Sequence, residues 1–229
     1  MCKSHKQPFT YTCNSLLTSG IYPDRCQYVV VWHIYKKGDE TSMSSCRPIS
    51  LLLSLSKVLE ALMFERLNQH LQSNKILAPG QFRFRKRTNI ENAVFTLTDN
   101  ILTSLNHWKQ IVGIFCDLSN AFECINHVIL LNKLFYSWVG GTCYYWIKSC
   151  LTNRKQKVNI STHYLGEESS ANWKTIVSGV SQGSILGPLL FLVYIRDLLF
   201  GIYHTTKPVI YAEDTSILIT FIHDLQIKS

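Results

Sequence analysis

The chain has 229 residues and a mass of 26.3 kDa, enough for one domain or two small lobes around a core of useful size. Apolar residues make up 46% and aromatics 12%, which excludes a disordered tail. Basic residues exceed acidic ones by +8, and the pI is near 9.1. That balance suits a polyanion such as nucleic acid, although many basic proteins bind none.

The opening MCKSHKQPFTYT lacks the apolar core of a secretory signal. None of the eight cysteines forms a C-x-x-C pair or has zinc-ligand spacing, so an intracellular chain with reduced thiols is expected. Next, QYVVVWHIYKKGDE reads as a β-rich run, Tyr28 to Ile34, emptying into a basic turn at Lys36, Lys37 and Gly38. Leu55, Val58, Leu59, Leu62, Met63, Leu67 and Leu71 then recur at helical spacing, and that helix should stop before Pro79 and Gly80. QFRFRKRT interleaves Phe82 and Phe84 with Arg83, Arg85, Lys86 and Arg87, and a second helix is expected around Ala93 to Leu105.

IVGIFC, Ile111 to Cys116, is a continuous apolar run of strand length ending in Asp117. Such runs are usually covered on both faces. Ser119 is the expected N-cap of a helix holding Phe122, Ile125, Ile129 and Leu130. An aromatic helix, YYWIKSCL, leads to the basic turn NRKQK, Asn153 to Lys157; the glycine-rich SGVSQGSILGP follows. LLFLVYI, Leu189 to Ile195, is too short to span a bilayer and reads as a buried helix, so no membrane partner is expected. Strands and helices mix without a regular βα repeat, which predicts an α+β fold with a partly antiparallel sheet.

VIYAEDTSILIT, Val209 to Thr220, sets Glu213 and Asp214 at the tip of an apolar hairpin. One reading is a solvated turn, where Asp is common. The other is a cation offsetting the repulsion, with Asp117 as a third acid. Two distant strands can bring Asp117 beside Glu213 and Asp214. Three carboxylates there would suit Mg²⁺, which takes oxygens at roughly 2.0–2.1 Å, and a pair of such ions about 3.5–4 Å apart can drive an in-line phosphoryl displacement.

FCDLSNAFECINH, GVSQGSILGPLLFLVYIRDL and YAEDT resemble the first, second and third palm motifs of reverse transcriptases, those of non-LTR, jockey-type retrotransposons in particular. YKKGDE, CRPISLLLSLSKVLEALMFERL and GQFRFRKRTNIENA resemble the fingers motifs in the same order. The likeness covers Asn14 to Thr220. It implies a right-hand polymerase with 1–27 as an N-terminal segment, 28–107 as fingers and 108–229 as palm, the stretch 128–172 being able to return to the fingers. A thumb and an endonuclease would be missing. The implied reaction is RNA-directed DNA polymerisation, with an RNA template, a DNA primer, deoxynucleoside triphosphates and two Mg²⁺ ions, for which Mn²⁺ can substitute.

Residue by residue, the resemblance makes Asp117, Glu213 and Asp214 the catalytic metal ligands; the plain alternative for Asp117 is a strand-end acid capping the next helix. Phe122 would underlie the incoming sugar and exclude a 2′-hydroxyl, or else be a core aromatic. Gln182 and Gly183 would line nucleotide and template, a role compatible with a loop before an N-cap. Lys37 and Arg47 would meet the triphosphate. Arg85, Lys86, Arg154, Lys155 and Lys157 would steer the template backbone, or form a solvated basic face.

The family reads YADD where this chain has Glu213, and the extra methylene moves the carboxylate by roughly an ångström, a shift that can cost about a hundredfold in rate. Asn120, Glu123, Arg83, Ser181 and His33 also stand where the family has other residues. These departures together imply a decayed copy with weak or lost activity, or a nucleic-acid-binding remnant without chemistry.

Overall fold

A computed structural model of the chain describes residues 3–39, 45–78, 80–85, 88–118, 120–161, 168–202 and 206–222. In chain order the elements are α1 (Lys3–Thr18), a 3-10 turn (Asp24–Gln27), β1 (Tyr28–Tyr35), β2 (Cys46–Leu51), α2 (Ser54–Ser73), α3 (Ile90–Asn106) and β3 (Lys109–Asp117). Then come α4 (His127–Tyr136), α5 (Gly141–Leu151), β4 (Lys155–Ser161), β5 (Glu168–Ser170), β6 (Lys174–Thr175), α6 (Gly187–Ile202), β7 (Thr206–Tyr211) and β8 (Asp214–Ile222). The fold is mixed α+β with antiparallel sheets, as the pattern of elements implies. It divides into two compact units, 1–74 with 122–191 and 75–121 with 192–229. Both are discontinuous in sequence.

The first unit is interleaved because β1 pairs in parallel with β4, Tyr28–Trp32 against Lys155–Asn159, and a parallel partner needs a long crossover. The sheet order is β2-β1-β4-β5, with β6 also on β4; every pair other than β1–β4 is antiparallel. On α2 the buried row is Leu59, Met63, Leu67 and Leu71, four residues apart and so on one face. Val58 and Leu62, expected in the same row, are exposed; each precedes a buried residue and lies roughly 100° round the helix. Ile125, Leu130 and Leu134 fill the core around α4, and Trp146, Ile147, Cys150 and Leu151 fill it from α5. α1, which the sequence left without structure, buries Cys13 and Leu17, again four apart.

Helix α4 starts later than expected. Its N-cap is Asn126, whose Oδ1 accepts from the backbone N–H of Val128 at 2.9 Å and of Ile129 at 3.2 Å, so Phe122 lies in the preceding turn. Ser119 lies outside the described residues.

A buried acid ties the parts of this unit together. Glu60 on α2 is fully buried. Its Oε2 accepts from Ser184 Oγ at 2.7 Å, from Ile185 N–H at 2.8 Å and from Leu186 N–H at 3.4 Å. Ser184 Oγ in turn accepts from Gly187 N–H at 2.9 Å. The free N–H groups at the start of α6 are thereby satisfied, and the carboxylate sits at the positive end of the helix. Arg154 Nη2 approaches Glu60 Oε1 at 4.0 Å. Nearby, Tyr22 bonds its hydroxyl to Ser56 Oγ and packs edge-to-face on Trp146 at 5.0 Å. Burial pushes the Tyr22 phenol up and the Cys150 thiol up to about 12, so both stay neutral near pH 7.

The second unit holds the three-stranded antiparallel sheet β3-β8-β7, with α3 packed on it. Asn89 begins α3 with a reciprocal capping pair to Asn92. The expected burial of the Ile111–Cys116 strand on both faces does not hold. β3 is an edge strand, and Val112, Ile114 and Phe115 are 49%, 42% and 69% exposed. Helix α6 runs from residues of the first unit into those of the second. Leu189 to Val193 are buried, as the apolar run implies. Among the described residues no helix is long and apolar enough to cross a membrane, and seven cysteines are free thiols.

Removing one member of a buried charge pair typically costs about 3–5 kcal/mol. Glu60→Ala is expected to lose stability in that range in urea unfolding. Glu60→Gln keeps an acceptor for Ser184 and Ile185 and should fall between it and wild type. A Glu60→Ala midpoint equal to wild type would show that the network contributes nothing.

Candidate active site

The acids singled out in the sequence lie in the second unit, at one end of the β3-β8-β7 sheet. The β3–β8 register runs without a bulge from Lys109–Ile222 to Asp117–Asp214. The hairpin closes on Tyr211–Asp214. Asp214, on the central strand, is therefore opposite Asp117 on one side and Tyr211 on the other, and directly opposite residues share a face with Cβ atoms about 4.5–5.5 Å apart. The neighbouring pair Ile210–Thr215 faces the other way and is buried. That burial pins the register: a slip by one residue would send Asp214 into the core.

Glu213 and Ala212 form the two-residue turn. Ala212 is buried with φ +61, a left-handed conformation that costs a residue with a Cβ roughly 1–2 kcal/mol. The turn is anchored to the end of β3, where Leu118 N–H donates to Glu213 O at 3.2 Å.

Asp117 and Asp214 are exposed, and Glu213 is half-buried. Among the described residues none of the three forms an ion pair. Two adjacent carboxylates without a cationic partner are a hard-oxygen donor set that fits Mg²⁺, which commonly takes one or two carboxylates and completes its shell with phosphates and water. Among the described residues no group of three His, Cys, Asp or Glu side chains is gathered closely enough to hold an ion. The structure pairs Asp117 with Asp214, with Glu213 one residue away in the turn.

The segment 80–85 borders β7. Ile210 N–H donates to Gly80 O at 2.8 Å and Phe82 N–H to Ile210 O at 2.9 Å. Arg85, expected on the template, instead donates from Nη1 to Ala78 O at 2.8 Å and to Gln81 O at 3.4 Å. Its guanidinium is thereby turned onto its own loop, adding to the Gln81 N–H bond that Ala78 O already accepts at 3.3 Å. Arg83, one of the departures from the family pattern, places its guanidinium 5.4 Å from the Tyr211 ring centre and 5.0 Å from that of Phe84. Sequence reasoning gave Arg83 no role beyond being a departure. It also missed Gln81, buried with neither amide atom partnered among the described residues; the only signal was its place in the QFRFR stretch. Lys86 lies outside the described residues.

The residues expected near nucleotide and template lie in the first unit. Lys37 and Arg47 are exposed on the β1–β2 hairpin, whose strands pair Ile34 with Arg47. The Gln182 loop is tied to β2 by Ser50 N–H donating to Gln182 O at 2.8 Å. Gly183 has φ +108, and a Cβ there would lie 2.9 Å from Ser50 O. Phe122 is half-buried, its ring 5.0 Å from that of Phe191, and its carbonyl accepts from Val180 N–H at 2.8 Å. Arg154 is 4% exposed and pairs with Glu60, so it cannot also meet a phosphate backbone. Lys155 and Lys157 are part-exposed on β4.

The profile of the family described as reverse transcriptase (RNA-dependent DNA polymerase) matches residues 34–228. Over 212 residues the chain is 32% identical to a probable RNA-directed DNA polymerase from transposon BS of Drosophila melanogaster, covering 90% of this chain and 23% of the relative. It is 32% identical over 207 residues to the RNA-directed DNA polymerase from mobile element jockey of the same species, covering 90% and 21%. The chain thus spans about a quarter or less of the length of the curated relatives it matches. Among solved structures, a telomerase from Candida albicans, in complex with the TWJ fragment of telomeric RNA, is similar with a TM-score of 0.57 and 9% identity over 91% of this chain and 40% of that one. At that identity the likeness is one of fold.

The Gly183 geometry is directly testable. Gly183→Ala should cost about 1–3 kcal/mol of stability and speed amide hydrogen exchange at Ser50. Gly140→Ala, where an added Cβ meets nothing within 4 Å, should leave exchange at Ser50 unchanged. Equal effects from both would remove Gly183 from the list of required glycines.

Proposed function

The chain belongs to the reverse transcriptase (RNA-dependent DNA polymerase) family, and from that premise we propose that it carries out template-directed transfer of a deoxynucleotide to a primer 3′-hydroxyl, copying RNA. The observation that carries this reading is the Asp117–Asp214 register pair beside the Glu213 turn. The three-stranded sheet would serve as the palm and the β1–β2 hairpin as part of the fingers.

In the proposed reaction the primer 3′-oxygen attacks the α-phosphorus of a deoxynucleoside triphosphate in line. One P–O bond forms, the bond to the bridging oxygen breaks, and pyrophosphate leaves. Asp117 and Asp214 would hold the divalent ion, Mg²⁺ or Mn²⁺ in its place. When bound, such ions neutralise phosphate charge and favour the deprotonated primer hydroxyl. Lys37 and Arg47 would neutralise and orient the triphosphate, lysine as a point charge and arginine as a fork. Gln182 and Gly183 would line the nucleotide, the glycine letting the loop lie close against Ser50 O, where a Cβ would come within 2.9 Å. Phe122 would stand under the sugar and clash with a 2′-hydroxyl. Lys155 and Lys157 would meet template phosphates, giving salt-sensitive binding.

Glu213 favours a second reading of this copy as a binding protein with weak chemistry. Its longer side chain sits in a turn whose other residue is already strained, leaving little freedom to draw the carboxylate back. Primer extension on an RNA template, with Mg²⁺ and then Mn²⁺, separates the two. Asp117→Asn should abolish whatever extension wild type shows, and Glu213→Asp should raise it, by up to about a hundredfold if misplacement by an ångström is the defect. Mn²⁺ should narrow the gap between wild type and Glu213→Asp. A Glu213→Asp protein that folds, binds template and extends nothing with either ion would leave only the binding reading.

A further inference from the structure

The face of the β2-β1-β4 sheet away from the core carries a second constellation. Val29 and Val31 are buried, so alternation turns Tyr28, Val30 and Trp32 to the opposite side. The parallel register sets Tyr28 beside Lys155, Val30 beside Lys157 and Trp32 beside Asn159. Trp173, just before β6, packs edge-to-face with Tyr28, centroids 5.0 Å apart at 85°. Lys155 Nζ lies 5.4 Å from the Tyr28 ring centre, and Lys157 Nζ lies 5.4 Å from that of Trp173. Both rings are 42% exposed. Among the described residues neither lysine has an acidic partner.

We infer that this face is a stacking platform for single-stranded nucleic acid, with bases on Tyr28 and Trp173 and phosphates on Lys155 and Lys157. Every base has a π-face, so aromatic rings accept single strands of any sequence, while lysines follow the backbone. Lys155 Nζ also donates to the Tyr28 hydroxyl at 3.5 Å; exposed contacts of both kinds are weak, so each lysine can leave its ring to a base and move to the neighbouring phosphate. A duplex hides its base faces and offers only phosphates, so the rings select the unpaired strand. The chain's excess of +8 supplies the matching charge. The inference rests on the proposed nucleic-acid function and adds Tyr28 and Trp173, which that function does not use.

The test is binding of a labelled single-stranded RNA by the whole chain, followed by anisotropy in EDTA, beside a blunt RNA–DNA duplex of the same sequence. Trp173→Ala should weaken single-strand binding about tenfold or more and change duplex binding by less than about twofold. Trp173→Phe keeps a ring and should stay within about threefold of wild type. Lys157→Ala should reduce the slope of log K against log salt by about 0.7 for the single strand. The chain has five tryptophans, and the quenching of their fluorescence by bound RNA should diminish in Trp173→Phe.

Unchanged single-strand binding by Trp173→Ala overturns the platform, as does equal weakening towards duplex. If Trp173→Ala does not fold, quenching unchanged in Trp173→Phe overturns it. Primer extension surviving alongside a failed platform leaves the polymerase reading standing. Binding by the platform in a protein that extends no primer does the reverse.

Discussion

The strand register of β3, β8 and β7 is the constraint on which the reading of the site depends. Asp117 and Asp214 are separated by almost the whole second half of the sequence and become neighbours only because β3 and β8 pair without a bulge. Electrostatics opposes that arrangement, since like charges directly opposite on a sheet repel. Burial of Ile210 and Thr215 on the other face holds it, because a shift of one residue would exchange this uncharged pair for a carboxylate in the core. Repulsion is thus imposed by packing, leaving a place where a cation is stabilised.

A different device holds the Gln182–Gly183 loop of the first unit. An apolar helix such as α6 has no charged first turn of its own, and its leading N–H groups must find acceptors. Glu60 supplies them from another helix, with Ser184 between. A buried acid is costly unless it is paired and hydrogen-bonded, and here the helix end and Arg154 compensate it. The Gln182–Gly183 turn is held at its other edge by Ser50. Its two anchors, one ionic and one backbone, explain why a loop rich in small residues can keep a defined path.

The basic residues divide by type. Arg85 and Arg154, which sequence pattern placed on nucleic acid, are spent on carbonyls and on Glu60. Arginine's planar fork and its weaker hydration suit it to such buried work, whereas ammonium groups stay near water. Lys37, Lys155 and Lys157 remain at the surface, and two of them lie over aromatic rings. A basic composition therefore overstates the number of cations a polyanion can reach.

Local pattern was enough for α2, α3, α5, β1, β3 and the β7–β8 hairpin, because apolar periodicity and turn residues report directly on local backbone geometry. It was also enough for the family, since ordered motifs survive in the letters themselves. The late start of α4 escaped it: the cap is Asn126, and nothing in the local pattern marks that residue out from other cap-forming residues before the apolar run. So did the exposure of β3, because an apolar run looks the same at an edge as in the middle of a sheet. Glu60 was invisible for a plainer reason: within its own helix it is one more polar residue among leucines, and its partners lie far along the chain, at Arg154 and at Ser184. What the letters determined on their own was which strongly patterned elements form and what chemistry their acids can do. Which acids meet, which arginines are consumed and which rings stay bare was decided by tertiary structure, because each is a contact between distant segments that only strand register and helix packing can bring together.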